Sequence, residues 1–150
     1  MTRIERILVP LDASAGSEHV IEYACAIGRG AGAALTLLHV YEPPNELVGI
    51  VPGATVGGEL AAEHAAGIGV LDRAAAVVRA NGFATVDRIL ERATPASRAI
   101  VSHAKVGKFD LIVMGMHARG RVSRLVLGSV AEQVLQAAPC PVLVVHLPHA

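Results

Sequence analysis

Four short, largely apolar runs that do not alternate with polar residues, Ile7 to Leu11, Ala34 to Val40, Leu111 to Met114 and Val142 to Val145, constrain the fold of this 150-residue chain more than any other feature. A strand with one wet face alternates apolar and polar side chains. A continuous run marks a strand buried on both faces, as in a parallel sheet covered by helices. A weaker run from Ala84 to Leu90 supplies a fifth strand. The segments between the runs are long enough for crossover helices, so the order reads β-α-β-α-β-α-β-α-β. That is an α/β protein with one open five-stranded parallel sheet and helices on both faces. Right-handed crossovers then leave few topologies.

Helix signals fall where this reading needs them. The first helix is predicted from near Gly16 to Arg29, with Ser14 or Ser17 as N-cap, Val20, Tyr23, Ala24 and Ile27 on its inner face, and Gly30 and Gly32 ending it. The second is predicted over Glu59 to Ala80, with Leu60, Ile68, Leu71, Ala75 and Val78 inward and Asn81-Gly82 as its stop. Gly67 and Gly69 in its middle each cost about 1 kcal/mol relative to Ala. Thr94 is the expected N-cap of a third helix that has Pro95 in its first position, turns Ile100, Val101 and Ala104 inward and ends at Gly107. Ser129 followed by Glu132 forms an S-x-x-E capping box that starts the fourth. The Pro- and Gly-rich stretch from Tyr41 to Gly58 reads as a long loop, either functional or simply draped over one edge.

Composition narrows the class. A single domain of this length buries about 70 % of its unfolded surface, enough to fold without disulfides or metals. With 53 % hydrophobic but only 3 % aromatic residues, the core is built from Ala, Val, Leu and Ile. Thirteen Lys and Arg balance thirteen Asp and Glu, which argues against a general nucleic-acid or membrane-surface role. Cys25 and Cys140 lie far apart without metal-ligand or redox spacing and read as two buried thiols. His146 and His149 have no helix to aim them and no third ligand, so no metal site is expected. No apolar run approaches the ~20 residues of a membrane helix, and no signal peptide is evident, so the chain reads as cytoplasmic.

The chemistry points to the stretch from Gly115 to Ser129, which leaves a buried strand and enters a helix. That is where α/β proteins hold phosphates, on the free N–H groups and positive dipole end of the helix. Arg119, Arg121 and Arg124 share the loop, and no Asp or Glu occurs between Asp110 and Glu132. His117 in the same loop reads as solvent-exposed or as a further phosphate or metal contact. Gly128 lets phosphate oxygens reach the helix amides, and Ser129 can offer its hydroxyl and N–H, unless its own helix uses it as a cap. Gly115 serves a sharp turn, a close ribose approach or plain strand termination. Asp12, just after the first strand, either contacts a ligand or caps the first helix with Ser14.

These residues carry a resemblance to the universal stress proteins, whose nucleotide-binding branch shows G-x-x-G-x9-G-[ST]. Gly115, Gly128 and Ser129 fill the first, third and fourth motif positions, and Ala118 stands in the second glycine's place. Ile7-Leu-Val-Pro-Leu-Asp12 and Leu37-Leu-His-Val40 resemble the family's first two strands, so the likeness covers nearly the whole chain. It implies a Rossmann-like sheet ordered 3-2-1-4-5, which brings Asp12 close to Gly115. It further implies an ATP or AMP site, with or without Mg, at Pro10, Asp12, Val40, Met114 and Gly115, continuing through Ala118, Arg119, Gly128, Ser129 and Val130. In that site Val40 offers its backbone to the adenine edge. A homodimer through Val142 to Val145 is implied as well.

The leading expectation is therefore a regulatory stress-response protein that binds adenine nucleotide with at most slow ATP hydrolysis. Neither a GxSxG elbow nor a GxxxxGK[ST] loop is present. The alternative is a protein-interaction module of the same type that no longer binds nucleotide, for which Ala118 speaks. A ligase resembling the S-G-G-x-D-S pyrophosphatases ranks last, because the loop from Pro10 to Ser17 lacks that pattern's glycines.

Overall fold

The computed structural model describes residues 1–42, 56–116 and 127–147. Its elements are β1 (Arg6–Leu11), α1 (Ser17–Ala31), β2 (Ala34–Tyr41), α2 (Val56–Ala80), β3 (Asp87–Arg92), α3 (Ala96–Val106), β4 (Leu111–Gly115), α4 (Ser129–Ala137) and β5 (Val142–Val145). The strands form one parallel sheet in the order β3-β2-β1-β4-β5. Successive side chains of a strand point to opposite faces. Ile7, Val9 and Leu11 accordingly join α1 and α2 in one core, while Leu8 joins Ile100 and Ala104 of α3 and Ala131 and Val134 of α4 in the other.

The sheet opens at a defined place. β1 pairs with β2 along its whole length, from Arg6↔Ala34 to Leu11↔His39, but with β4 only at Ile7↔Leu111 and Leu8↔Ile112. Pro10 has no N–H to give a neighbouring strand, and a proline in a central strand is tolerated where pairing on one side has ended. The carboxyl ends of β1 and β4 thus separate, and a crevice forms where the strand order reverses. The opposite ends are tied together. Asp110 accepts from the N–H groups of Glu5 and Arg6 through one carboxylate oxygen, at 2.8 and 2.9 Å.

Several local expectations are corrected. Tyr23 is 48 % and Ile68 44 % exposed. The inward stripe of α1 runs through Val20, Ile21, Ala24, Cys25 and Gly28, and that of α2 through Val70, Leu71, Ala74, Ala75 and Val78, which leaves Tyr23 and Ile68 on the flanks. Gly30 lies inside α1, and Gly32 alone ends it, at a left-handed φ of 69°. The N-cap of α1 is Gly16 and that of α3 is Pro95, not Ser14, Ser17 or Thr94, and neither makes a side-chain cap bond. β3 begins at Asp87 rather than Ala84. The loop expected from Tyr41 to Gly58 is shorter at both ends, because Tyr41 closes β2 and α2 begins at Val56; residues 43–55 lie outside the described residues. Cys25 is buried, but Cys140, on the bend between two prolines at the sheet edge, is only half-buried.

Gly107 at the end of α3 has a steric reason to be glycine. A Cβ there would stand 2.5 Å from the Phe109 ring and 2.9 Å from the His103 carbonyl oxygen, whose position is held by the Gly107 N–H. Gly107→Ala is expected to destabilise by about 1–3 kcal/mol through overpacking. Thermal unfolding reads this as a midpoint lowered by roughly 2–4 °C per kcal/mol; an unchanged midpoint would refute the crowding.

Candidate functional site: a cleft at the strand-order reversal

The crevice between β1 and β4 widens into a cleft of about 960 Å³. Its floor is the carboxyl ends of β1, β2 and β4, and its walls come from the starts of α1 and α4 and the inner face of α2. Eight of the anticipated residues line it together: Pro10, Asp12, Val40, Met114, Gly115, Gly128, Ser129 and Val130. Ala118 and Arg119 lie outside the described residues, as do His117, Gly120, Arg121, Arg124 and His149.

Asp12 organises the turn from β1 into α1. Its Oδ1 accepts the Ser14 N–H at 2.8 Å, and the Ser17 hydroxyl donates to the Asp12 carbonyl at 2.9 Å and reaches Oδ1 at 3.4 Å. This is the Asx-turn geometry that short acidic side chains favour. The carboxylate thus lines the cleft, and the helix-capping role read for Asp12 with Ser14 is corrected: Asp12 braces the turn, while the N-cap of α1 is Gly16 with no side-chain cap bond.

The start of α4 differs from the expected capping box. Gly128 is the N-cap, at φ −58° and ψ 151°, and Ser129 is the first helical residue, with no side-chain cap bond. The Glu132 N–H bonds the Gly128 carbonyl at 3.0 Å as the first turn closes. A glycine N-cap brings no side-chain acceptor, so the first-turn amides carry the helix's positive end into the cleft without a cap from the N-cap residue. Glu132 follows in the first turn, where the dipole favours an acid.

Gly115 is not in a left-handed conformation, since the positive-φ glycines among the described residues are Gly32 and Gly82. Crowding accounts for it. A Cβ would lie 3.1 Å from Val20 Cγ2 and 3.4 Å from Leu147 Cδ1, and one on Gly16 would lie 2.7 Å from the same Leu147 atom. Leu147 therefore seats against two glycines at the cleft's edge.

Two lining residues were missed from sequence. His39 is 9 % exposed, and its Nδ1 donates to the Leu11 carbonyl at 2.8 Å, because a carbonyl can only accept. Glu63 on α2 also lines the cleft, and its Oε2 is buried without a hydrogen-bond partner among the described residues. The signal for Glu63 was legible as helical spacing: Glu63, Gly67, Val70, Ala74 and Val78 step along one face by three and four. Nearby, the Tyr41 hydroxyl meets His64 Nδ1 at 3.3 Å, joining β2 to α2.

Nucleophilic chemistry by thiol is disfavoured at the cysteines. Burial pushes the Cys25 thiol up from its ordinary value of 9.0 against a smaller opposing pull from Arg29. Burial, then the charge of Asp110, pushes Cys140 the same way. Among the described residues no group of three or more His, Cys, Asp or Glu could hold a metal ion, and no helix is long and apolar enough to cross a membrane.

An open parallel sheet ordered 3-2-1-4-5, with a cleft at its switch point and a glycine-capped helix start in the wall, defines a Rossmann-like α/β protein. The universal stress protein family model matches residues 3–146, and the chain belongs to that family. It is 35 % identical over 140 residues to a universal stress protein encoded in the QAH/OAS sulfhydrylase 3'region of Thermus aquaticus, covering 93 % of this chain and 97 % of that one. Its fold is similar to that of the universal stress protein UspA from Lactobacillus plantarum, with a TM-score of 0.80 and 26 % identity over 95 % of this chain and 98 % of that one. A universal stress protein solved in complex with cAMP shares the fold at a TM-score of 0.73 and 23 % identity, covering 96 % of this chain and 98 % of that one.

Proposed function

We propose that this protein is a cytoplasmic regulator that binds an adenine nucleotide, ATP or AMP, in the cleft at the β1/β4 switch point, with little or no catalysis. The observation that carries the reading is the uncapped α4 start at Gly128 and Ser129, in one cleft with Asp12 and the end of β2. Phosphate suits the α4 amides electrostatically and sterically, because the N-cap has no side chain to occupy them. Asp12 suits a ribose hydroxyl or a phosphate-bound Mg, and the backbone of Val40 at the end of β2 suits the base edge. The related complex with cAMP supports a nucleotide ligand of this kind. Ala118 and Arg119 complete the proposed site by their place in the G-x-x-G-x9-G-[ST] pattern.

A homodimer through Val142 to Val145 belongs to the same proposal. Among the described residues β5 is an edge strand paired with β4 alone, Leu143 is 36 % exposed, and an apolar edge invites a second strand. A second reading, a protein-contact module without nucleotide, is favoured by Ala118 where the motif has glycine.

Thermal unfolding of nucleotide-stripped protein with ATP, ADP, AMP or cAMP, each with and without Mg, separates the two. At about 100 times the dissociation constant, a ligand of the folded state adds ~2.7 kcal/mol. The midpoint then rises by roughly 5–10 °C for a chain of this size. No shift with any nucleotide at millimolar concentration favours the module, and Ala118→Gly then tests whether that position is the cause.

A further inference from the structure

The α2 wall of the cleft carries an oxygen that the described residues leave unsatisfied. Glu63 Oε2 is buried and has no hydrogen-bond partner among the described residues, although Glu63 lines the cleft. Buried polar atoms are almost always paired in native proteins, so an exception calls for an explanation. His39, on the β2 floor beneath that wall, has spent its Nδ1 proton on the Leu11 carbonyl, which leaves Nε2 an acceptor in the neutral ring. Gly67 stands one helical turn beyond Glu63, and a Cβ on Gly67 would lie 3.2 Å from His39 Cδ2, the ring carbon bonded to Nε2. This end of the cleft therefore offers acceptors and wants a donor.

It is also the wrong end for phosphate. Glu42 and Glu63 line it, whereas the uncapped α4 start lies beyond β1, two strand spacings or roughly 10 Å from β2. With phosphate held at α4, the base of a mononucleotide extends toward β2 and α2. We propose that Glu63 recognises the exocyclic amino group of the bound base, so that the site selects an amino-bearing purine; this rests on the nucleotide reading above. The amino group donates to Oε2, and both groups are satisfied at once. A base without that donor leaves the carboxylate oxygen buried and unpaired, as in the free protein.

The test compares ATP with purine riboside 5'-triphosphate, which lacks only the 6-amino group, by calorimetric titration of the wild type, Glu63→Gln and Glu63→Met. Wild-type protein is expected to bind ATP about 10- to 100-fold more tightly, the scale of a hydrogen bond to a charged group. Glu63→Met should bind the two ligands equally, near the wild-type affinity for the analogue, and Glu63→Gln, which keeps an acceptor, should retain part of the preference. Thermal unfolding of Glu63→Met without ligand checks the fold, and its midpoint should not fall, because an unsatisfied buried oxygen has been removed. Equal binding of both ligands by the wild type, or full discrimination by Glu63→Met, overturns the assignment while leaving the nucleotide reading intact. If the wild type binds neither ligand, the nucleotide reading fails and the role of Glu63 falls with it.

Discussion

Gly128→Asp is expected to abolish the nucleotide-dependent thermal shift while leaving the free protein as stable as the wild type or slightly more so. The two effects have one origin. Gly128 is the N-cap of α4, its φ of −58° is open to any residue, and it makes no side-chain cap bond. An Asp there can accept a first-turn N–H, which favours the helix over a glycine cap by a few tenths of a kcal/mol. Its charge also suits the helix dipole by about 0.3–1 kcal/mol. The same carboxylate occupies the amides proposed for phosphate and opposes its charge. Two like charges 4 Å apart interact by about 4 kcal/mol at an effective dielectric of 20. That outweighs the ~2.7 kcal/mol available from ligand at 100 times its dissociation constant, so the shift disappears. Gly128→Asn is the control, with equal capping and shape but no charge, and should keep a reduced shift. A full ATP shift in Gly128→Asp would remove the α4 start from the site.

Ile112→Ala should destabilise the fold by about 2–5 kcal/mol, more than Gly107→Ala or any substitution in the cleft. Ile112 is fully buried and lies in register with Leu8 of β1 and Val142 of β5. It packs in the cluster that joins α3 and α4 to the sheet. Truncation leaves a cavity in a rigid sheet that cannot close over it, and the loss is a large part of the 5–15 kcal/mol typical of a domain. Urea unfolding should show a lower midpoint at unchanged slope. Leu135→Ala, at a side chain 44 % exposed, should stay within about 0.5 kcal/mol. Leu8→Ala combined with Ile112→Ala should depart from additivity by about 0.5–3 kcal/mol, since the two face each other across the last β1–β4 pair. Additive losses would mean that this pair does not act as a unit beneath the cleft.

Four strands were legible almost to the residue because each is a compact, largely apolar run set off by nearby polar, Gly or Pro residues, even where, as in β5, one side chain remains exposed. Asp87–Arg92 was placed less well, since β3 is an edge strand of mixed polarity, with exposed positions at both ends. Helix positions and the glycine stops at Gly32 and Gly107 were legible, but the N-caps were not. The Ser129–Glu132 box describes a local competition for backbone N–H groups, and the observed start at Gly128 resolves it differently. Tyr23 and Ile68 were assigned inward on hydrophobicity alone, although the stripe each helix buries is chosen by the sheet beneath it.

The site shows the same division. Gly115, Gly128, Ser129 and Asp12 stood out as residue types in a chemically meaningful order, because turns, helix starts and phosphate contacts are local and leave local marks. Glu63 and His39 did not stand out, because each is ordinary within its own element. The apolar pattern of the chain, by itself, determined a doubly covered parallel sheet, the number of its helices and the loop that leads into α4, since burial and backbone hydrogen bonding act along the sequence. Only the tertiary structure decided that β1 leaves β4 after Leu8, that α2 turns an acid into the cleft, and that His39 spends its proton on Leu11. Those outcomes depend on which distant groups compete for the same space and the same hydrogen, and no local stretch of sequence contains both competitors.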